Sequence, residues 1–268
     1  MKYNQSRSSW RGGGYIFAEE RQRRMMEYIY ERKRATVAEL SEVFRVSEAT
    51  VRRDLKELEE ANRIRRTHGG AIPRERVGFE PSIQEKKDQF AKEKQRIAEK
   101  AVELIRDGET ILLDSGTTTH QLARMLGRFS RLTVVTNSNS ILQELQGMEH
   151  LELISTGGMV RRGIESMVGP IAEQTLGMIK VDKTFLGTNA LDPEEGISTP
   201  HLLEAQVKKA MIRAAKEVIL LCDRSKINRV SFAKVAPLSS VNVLITDQKA
   251  PSDILERIQE QHVQVIRA

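Results

Sequence analysis

Six consecutive residues, Asp114-Ser115-Gly116-Thr117-Thr118-Thr119, set one glycine among four hydroxyl side chains, between an apolar run and a helix-like segment. Such a loop suits a phosphate. The glycine lets backbone N–H groups converge, the hydroxyls donate, and the start of the following helix adds a favourable field for an anion. The run lacks the Gly-Lys-Ser/Thr of a nucleotide P-loop and the spacing of a dinucleotide fingerprint. A sugar phosphate therefore fits it better than ATP or NAD. Lys226, or Arg161 and Arg162 beyond Gly157-Gly158, could add positive charge, and each reads equally well as a surface cation.

A second stretch, SEATVRRDLKELEE from Ser47 to Glu60, carries a different chemistry. Thr36 and Glu39 have the S/T-x-x-E spacing of a capping box, with Leu40, Val43 and Phe44 forming one apolar face behind it. Ser47 is an N-cap residue, and Val51, Leu55 and Leu58 fall at i, i+4 and i+7, so they face a core. Glu48, Arg52, Arg53 and Lys56 lie on the other faces. Ahead of these, Met25, Met26, Ile29 and Tyr30 recur at helical spacing. Three short helices with a tight turn before the third describe a helix-turn-helix whose last helix enters the major groove of DNA. Arginine can grip guanine edges there, and Thr50 a thymine methyl or a phosphate. Downstream, RIRRTHGGAI reads as a β-hairpin wing with a Gly-Gly turn, placing Arg63, Arg65, Arg66 and His68 near backbone phosphates. The DNA-contacting candidates are Thr36, Ser47, Glu48, Thr50, Arg52, Arg53, Lys56, Arg65, Arg66 and His68.

The elements that would position the phosphate loop follow a regular pattern. A charged helix spans about 86–105. Then apolar strand-like runs near 110–114, 132–137, 151–156, 183–189, 217–223, 241–247 and 263–267 alternate with helical segments. That alternation predicts a mostly parallel sheet covered on both faces, a Rossmann-like α/β domain. In such sheets ligands sit beyond the carboxyl ends of the strands. Asp114 to Thr119, Thr136-Asn137, Thr156-Gly157-Gly158, Gly187-Thr188-Asn189 and Asp223 to Lys226 all fall there. The expected organisation is a leader (1–17), a winged helix-turn-helix (18–76), a linker (77–90) and an α/β domain (91–268).

The charge distribution agrees. The chain carries a net charge of +6, and residues 1–80 hold 18 Lys/Arg against 13 Asp/Glu, so nearly all of the excess lies in the first third. A basic segment ahead of a near-neutral body fits a nucleic-acid-binding module joined to a different domain. The single cysteine, Cys222, excludes an intrachain disulfide and suits a reducing compartment, and its apolar surroundings suggest an inert thiol. No apolar run reaches the roughly 18 residues of a membrane span. His68, His120, His150, His201 and His262 are scattered, with no metal-ligand spacing. The expectation is a cytoplasmic protein without metal or cofactor.

From Ser47, through Thr50-Val51-Arg52-Arg53-Asp54-Leu55 and Leu58-Glu59, to His68-Gly69-Gly70-Ala71, the sequence closely resembles the winged helix-turn-helix of the DeoR/GlpR family of bacterial transcription regulators. The resemblance runs from about residue 19 to the end of the chain. It implies a sensor domain related to ribose-5-phosphate isomerase and glucosamine-6-phosphate deaminase, with Ser115 to Thr119 on the phosphate and Asp192, Glu204 and Lys226 at the sugar end. The full set of expected effector contacts is Asp114 to Thr119, Thr136, Asn137, Gly157, Gly158, Asp192, Glu204 and Lys226. It also implies operator DNA, a phosphorylated sugar and a second copy of the chain (dimer or tetramer) as partners, and repression of a carbohydrate-catabolic operon. The alternative is an isomerase- or deaminase-like enzyme with a DNA-binding appendage, for which Asp192 or Glu204 would have to move the proton. The deaminases carry Gly-x-Asp-Gly-His where this chain has Gly187-Thr188-Asn189-Ala190-Leu191, which removes the acid and the histidine.

Overall fold

A computed structural model describes residues 18–32, 34–61, 63–67, 69–73 and 80–268. The expected leader and His68 lie outside them, as do the first residues of the expected linker. The chain divides into two compact units between residues 76 and 77.

The N-terminal unit holds helices α1 (Ala18–Arg32), α2 (Val37–Phe44) and α3 (Glu48–Glu60), and strands β1 (Ala35–Thr36), β2 (Ile64–Thr67) and β3 (Gly70–Pro73). The Thr36–Glu39 capping box opens α2, and Ser47 caps α3 by accepting the Thr50 N–H at 3.1 Å. The turn between them passes through Arg45 in the left-handed region (φ 53°). Met25, Ile29, Leu40, Val51, Leu55 and Ile64 are fully buried together, with Tyr28 also in the core. Asp54, within the arginine run, faces this core. Its carboxylate is fully buried and accepts Arg21 Nε at 2.6 Å and Nη2 at 3.0 Å, so it ties α3 to α1. The wing is a three-stranded sheet in the order β1-β3-β2, with β1 supplied by the residues just ahead of α2. Gly70 makes that third strand possible. A Cβ there would lie 2.0 Å from the Ala35 carbonyl oxygen, whereas one at Gly69 would meet nothing.

The C-terminal unit begins with two helices, α4 (Ile83–Asp88) and α5 (Ala91–Val102), where sequence periodicity suggests one. A Ser82–Glu85 capping box starts α4 early, and Phe90 at φ 55° breaks the helix. Residues 80–90, assigned above to a linker, are thus a structured part of this unit. Then follow β4 (Thr110–Leu113), α6 (Thr117–Ala123), β5 (Leu132–Thr136), α7 (Asn139–Leu145), β6 (Leu151–Ser155), β7 (Met159–Arg161), β8 (Ser166–Val168) and α8 (Pro170–Gly177). The chain continues through β9 (Val181–Gly187), β10 (Ala190–Asp192), β11 (Gly196–Thr199), α9 (Leu202–Ala214), β12 (Ala215–Leu221), β13 (Ala233–Ala236), β14 (Val243–Thr246), α10 (Ser252–Gln259) and β15 (Gln264–Arg267).

Seven strands form one parallel sheet in the order β15-β14-β12-β9-β4-β5-β6. Alternate strand residues serve opposite faces, as the two-residue repeat of a strand requires. Ile111, Leu113, Phe185 and Ile219 pack with α5, α6 and α7, while Leu112, Leu186 and Leu220 pack with α8, α9 and α10. A short antiparallel pair, β7–β8, and a three-stranded antiparallel sheet, β10–β11–β13, lie outside this frame. After β6 the chain crosses to the other side of β4, so β4 and β9 are neighbours whose connections run to opposite sides. Open α/β sheets leave a crevice at such a point.

Candidate functional site

In the N-terminal unit, α3 turns Arg52, Arg53 and Lys56 to solvent. Among the described residues each pairs with an exposed partner one turn away: Glu48 at 2.6 Å, Glu57 at 3.7 Å and Glu60 at 3.7 Å. Exposed pairs of this kind contribute ~0–1 kcal/mol, so a phosphate can displace them. A concavity of about 250 Å³ opens between the start of α2, α3 and the wing, lined in part by Thr36, Glu48, Arg52 and Arg66. Arg65 and Arg66 are exposed on β2, where the Glu59 carboxylate accepts the Arg66 N–H at 2.9 Å. The Ser47 and Thr50 hydroxyls pair with each other at 2.9 Å, next to α3's first turn. Basic helix face, wing strand and capped helix start thus occupy one surface of this unit.

In the C-terminal unit, a cavity of about 60 Å³ sits at the crevice between β4 and β9. A water needs ~10–15 Å³ of such space, so the cavity admits a handful of waters or one compact anionic group. Ser115 to Thr119 line it from β4, Gly187 to Asn189 from β9, and Cys222, Asp223 and Lys226 from β12. Gly116 caps α6 without a side-chain acceptor, which leaves the first-turn N–H groups to a ligand. Its φ of 165° is extended backbone open to any residue, so what glycine contributes here is space. A Cβ would meet Thr119 Oγ1 at 3.3 Å.

The loop is held from behind. Asn137 Oδ1 accepts the Ser115 N–H at 2.8 Å, and the Thr136 hydroxyl donates to the Leu113 carbonyl at 2.7 Å, joining β5 to the end of β4. Asp114 is fully buried, accepts the Gly187 N–H at 2.9 Å and pairs with the Lys208 ammonium, which also donates to the Gly187 carbonyl at 3.0 Å. Burial pushes the Asp114 carboxyl up, against the pull of Lys208 and the Gly187 N–H. Asp114, Thr136 and Asn137 therefore position the loop and do not line the cavity.

Four other expected contacts stand elsewhere. Gly157 and Gly158 follow β6, an edge strand on the far side of β5 from the crevice. Gly158 is needed for packing: its φ is 113°, and a Cβ would lie 2.7 Å from the Val168 carbonyl oxygen. Asp192 caps the β10–β11 turn, accepting the N–H groups of Glu194 at 2.9 Å and Glu195 at 3.0 Å. Glu204 is buried between Arg161, at 2.9 Å, and the Ser166 hydroxyl. His120 pairs with Glu144 at 3.1 Å.

Three lysines that the sequence reading did not single out belong to the cavity wall. Lys86, Lys94 and Lys208 line it together with Gln89, Phe90 and Lys226. Lys94 and Lys208 each sit on an apolar helix stripe, with Ile97, Ala98 and Ala101 in one case and Ala205 and Met211 in the other. A charged residue at core spacing was the available signal. Lys94 is 5% exposed, and its ammonium donates to the carbonyls of Lys86 and of Gln89, the latter at 2.5 Å. Burial, with repulsion from Lys226 and Lys86 set against attraction to Asp223, pushes its pKa down to about 8. Phe90 carries the Arg224 guanidinium 4.6 Å above its ring.

Comparison with known proteins covers both units. Residues 21–76 match the DeoR-like helix-turn-helix domain and residues 89–248 the DeoR C-terminal sensor domain. The HTH-type transcriptional regulator GlpR of Haloferax volcanii is 39% identical over 92% of this chain and 96% of its own length. The HTH-type transcriptional repressor GlcR of Bacillus subtilis is 33% identical over 90% of this chain and 94% of its own. Among solved structures, ribose 5-phosphate isomerase A of Methanocaldococcus jannaschii matches 52% of this chain and 55% of its own, at 20% identity and a TM-score of 0.39. Among the described residues no helix is long and apolar enough to cross a membrane. With both of its domains matched in order and relatives aligned along nearly their whole length, this chain belongs to the DeoR family of helix-turn-helix transcriptional regulators.

Proposed function

We propose that this chain is a cytoplasmic, homo-oligomeric repressor of a carbohydrate-catabolic operon that leaves its operator when a phosphorylated sugar enters the C-terminal cavity. One observation carries the reading: the hydroxyl loop Ser115–Thr119, the uncapped start of α6 and four lysines, Lys86, Lys94, Lys208 and Lys226, line a single small cavity. Converging N–H, hydroxyl and ammonium donors select a compact dianion such as a phosphate monoester. A sensing role is supported over turnover by the cavity wall, in which Asp223 is the only carboxylate among the described residues. Its Oδ1 accepts the Ser225 N–H at 2.9 Å and holds the turn that carries Lys226. Asp192 and Glu204, the carboxylates an isomerase-like step would call on, are occupied outside the cavity.

The test is a thermal-unfolding screen with phosphorylated hexoses, pentoses and polyols. An effector at ~100 times its dissociation constant adds about 2.7 kcal/mol to the stability of the protein that binds it. Gly116→Phe sets a bulky side chain in the loop that lines the cavity, where a Cβ already crowds Thr119 Oγ1 at 3.3 Å. This variant is expected to keep its DNA binding and lose the stabilisation. Stabilisation that survives in Gly116→Phe would place the effector elsewhere, and steady conversion of the stabilising sugar would favour the enzyme.

A further inference from the structure

Glu80 lies directly behind the cavity wall. Its Oε1 accepts Lys86 Nζ at 3.0 Å and Asn189 Nδ2 at 3.4 Å, and both donors line the cavity. Its Oε2 lies 3.0 Å from Arg161 Nη2 but has no well-aligned hydrogen bond, although it is buried. Burial pushes the Glu80 carboxyl up, but Lys86 and Arg161 outweigh it and the net shift is downward. Lys86 is lowered by its own burial, against the pull of Glu80. The same segment is pinned by the Ile83 N–H, which donates to the Gly163 carbonyl at 2.8 Å. Among the described residues Lys94 has two carbonyl acceptors for its three N–H donors, and it lines the cavity.

We propose that Lys86 and Lys94 are effector-anion ligands supplied by the α4–α5 elbow, and that the bound anion draws Lys86 away from Glu80, releasing residues 80–86. This rests on the reading of the cavity as an anion site. Lys86 cannot serve a carboxylate behind the wall and a dianion in front of it equally well. An ammonium placed between two anionic sites goes to the one with the greater charge and the better donor set around it. Here Ser115–Thr119, Lys94 and Lys226 already line the cavity side. Glu80 would be left with Arg161, which Glu204 shares. The second unit begins at Val77, so the release would occur close to where the chain arrives from the N-terminal unit.

The experiment uses the full chain with inorganic phosphate as the probe. Affinities are measured by calorimetry for the wild type, Lys86→Gln, Glu80→Gln and the double variant. Glu80→Gln keeps the side-chain shape and frees Lys86 for the anion, so it should bind phosphate roughly fivefold or more tightly than the wild type. Lys86→Gln should bind at least as much more weakly. In the double variant the gain from Glu80→Gln should vanish, since it acts through Lys86. A gain of equal size with and without Lys86, or weaker binding by Glu80→Gln alone, overturns the proposal. Amide hydrogen exchange gives a second readout. Phosphate should speed exchange across residues 80–86 while slowing it at 115–119, and unchanged or slower exchange at 80–86 overturns the release. Wild-type protein that takes up no phosphate overturns the anion-site reading along with this one. Uptake that is indifferent to Lys86 leaves the anion site standing and removes only the latch.

Discussion

Lys94 shows how much one side chain on the wrong stripe of a helix can do. Its ammonium joins the end of α4 to the start of α5 and stands among the other cations of the cavity. Because its pKa is pushed down to about 8 from the ordinary lysine value, the unfolded chain holds a proton that the folded chain lacks between pH ~8 and ~10.5. The contribution of Lys94 to stability therefore rises with pH across that window, by at most ~1.4 kcal/mol per pH unit, and is lost as pH falls through 8. Urea unfolding at several pH values, comparing the wild type with Lys94→Met, should show the wild type gaining on the variant above pH 8. A flat difference would show that the ammonium titrates normally.

Elements are held in place by close approaches that a motif does not announce. In the wing, the second of the two adjacent glycines is the one that matters, because β1 runs against β3 at that point. Gly70→Ala should cost the N-terminal unit about 1–3 kcal/mol through the displaced Ala35 carbonyl. Gly69→Ala should be neutral, or stabilise slightly by stiffening the unfolded chain. Calorimetric melting of the two variants separates them, and equal effects would argue against the β1–β3 pairing. Helix α3 shows the same division of labour within one turn. Asp54 is buried against Arg21 and holds the helix, while Arg52 and Arg53 beside it stay exposed.

For the molecule as a whole, the charge asymmetry sets the expected DNA behaviour. With 18 Lys/Arg against 13 Asp/Glu in residues 1–80, contacts to DNA phosphates should dominate its affinity for any duplex. Removing one phosphate contact by Arg65→Ala or Arg66→Ala should reduce the slope of log affinity against log salt by ~0.9, with a similar loss on every sequence. Arg52→Ala and Arg53→Ala should instead lower the preference for the operator over random duplex. Lys226→Ala should leave both unchanged. Fluorescence anisotropy across a salt series reads all three, and a Lys226 variant with a reduced slope would contradict the division of roles between the two units.

Legibility followed the range of the physics. The helix caps at Thr36 and Ser47, the core positions Val51, Leu55 and Leu58 and the alternation of strands with helices depend on neighbours within a few residues. All were readable in order along the chain. The loop Ser115–Thr119 was readable for the same reason, as one contiguous strand-to-helix turn. Strand order was not, because it depends on pairings between distant segments, and it determines which strand ends share a crevice. Since β9 and β12 lie on one side of β4 and β5 and β6 on the other, Gly187 to Asn189 and Lys226 reach the cavity. Gly157 and Gly158 do not, although all follow strands of similar sequence. Lys86, Lys94 and Lys208 lie on helices that periodicity could place but not aim. Only the tertiary packing of those helices brought the three lysines to the wall of one anion-sized space.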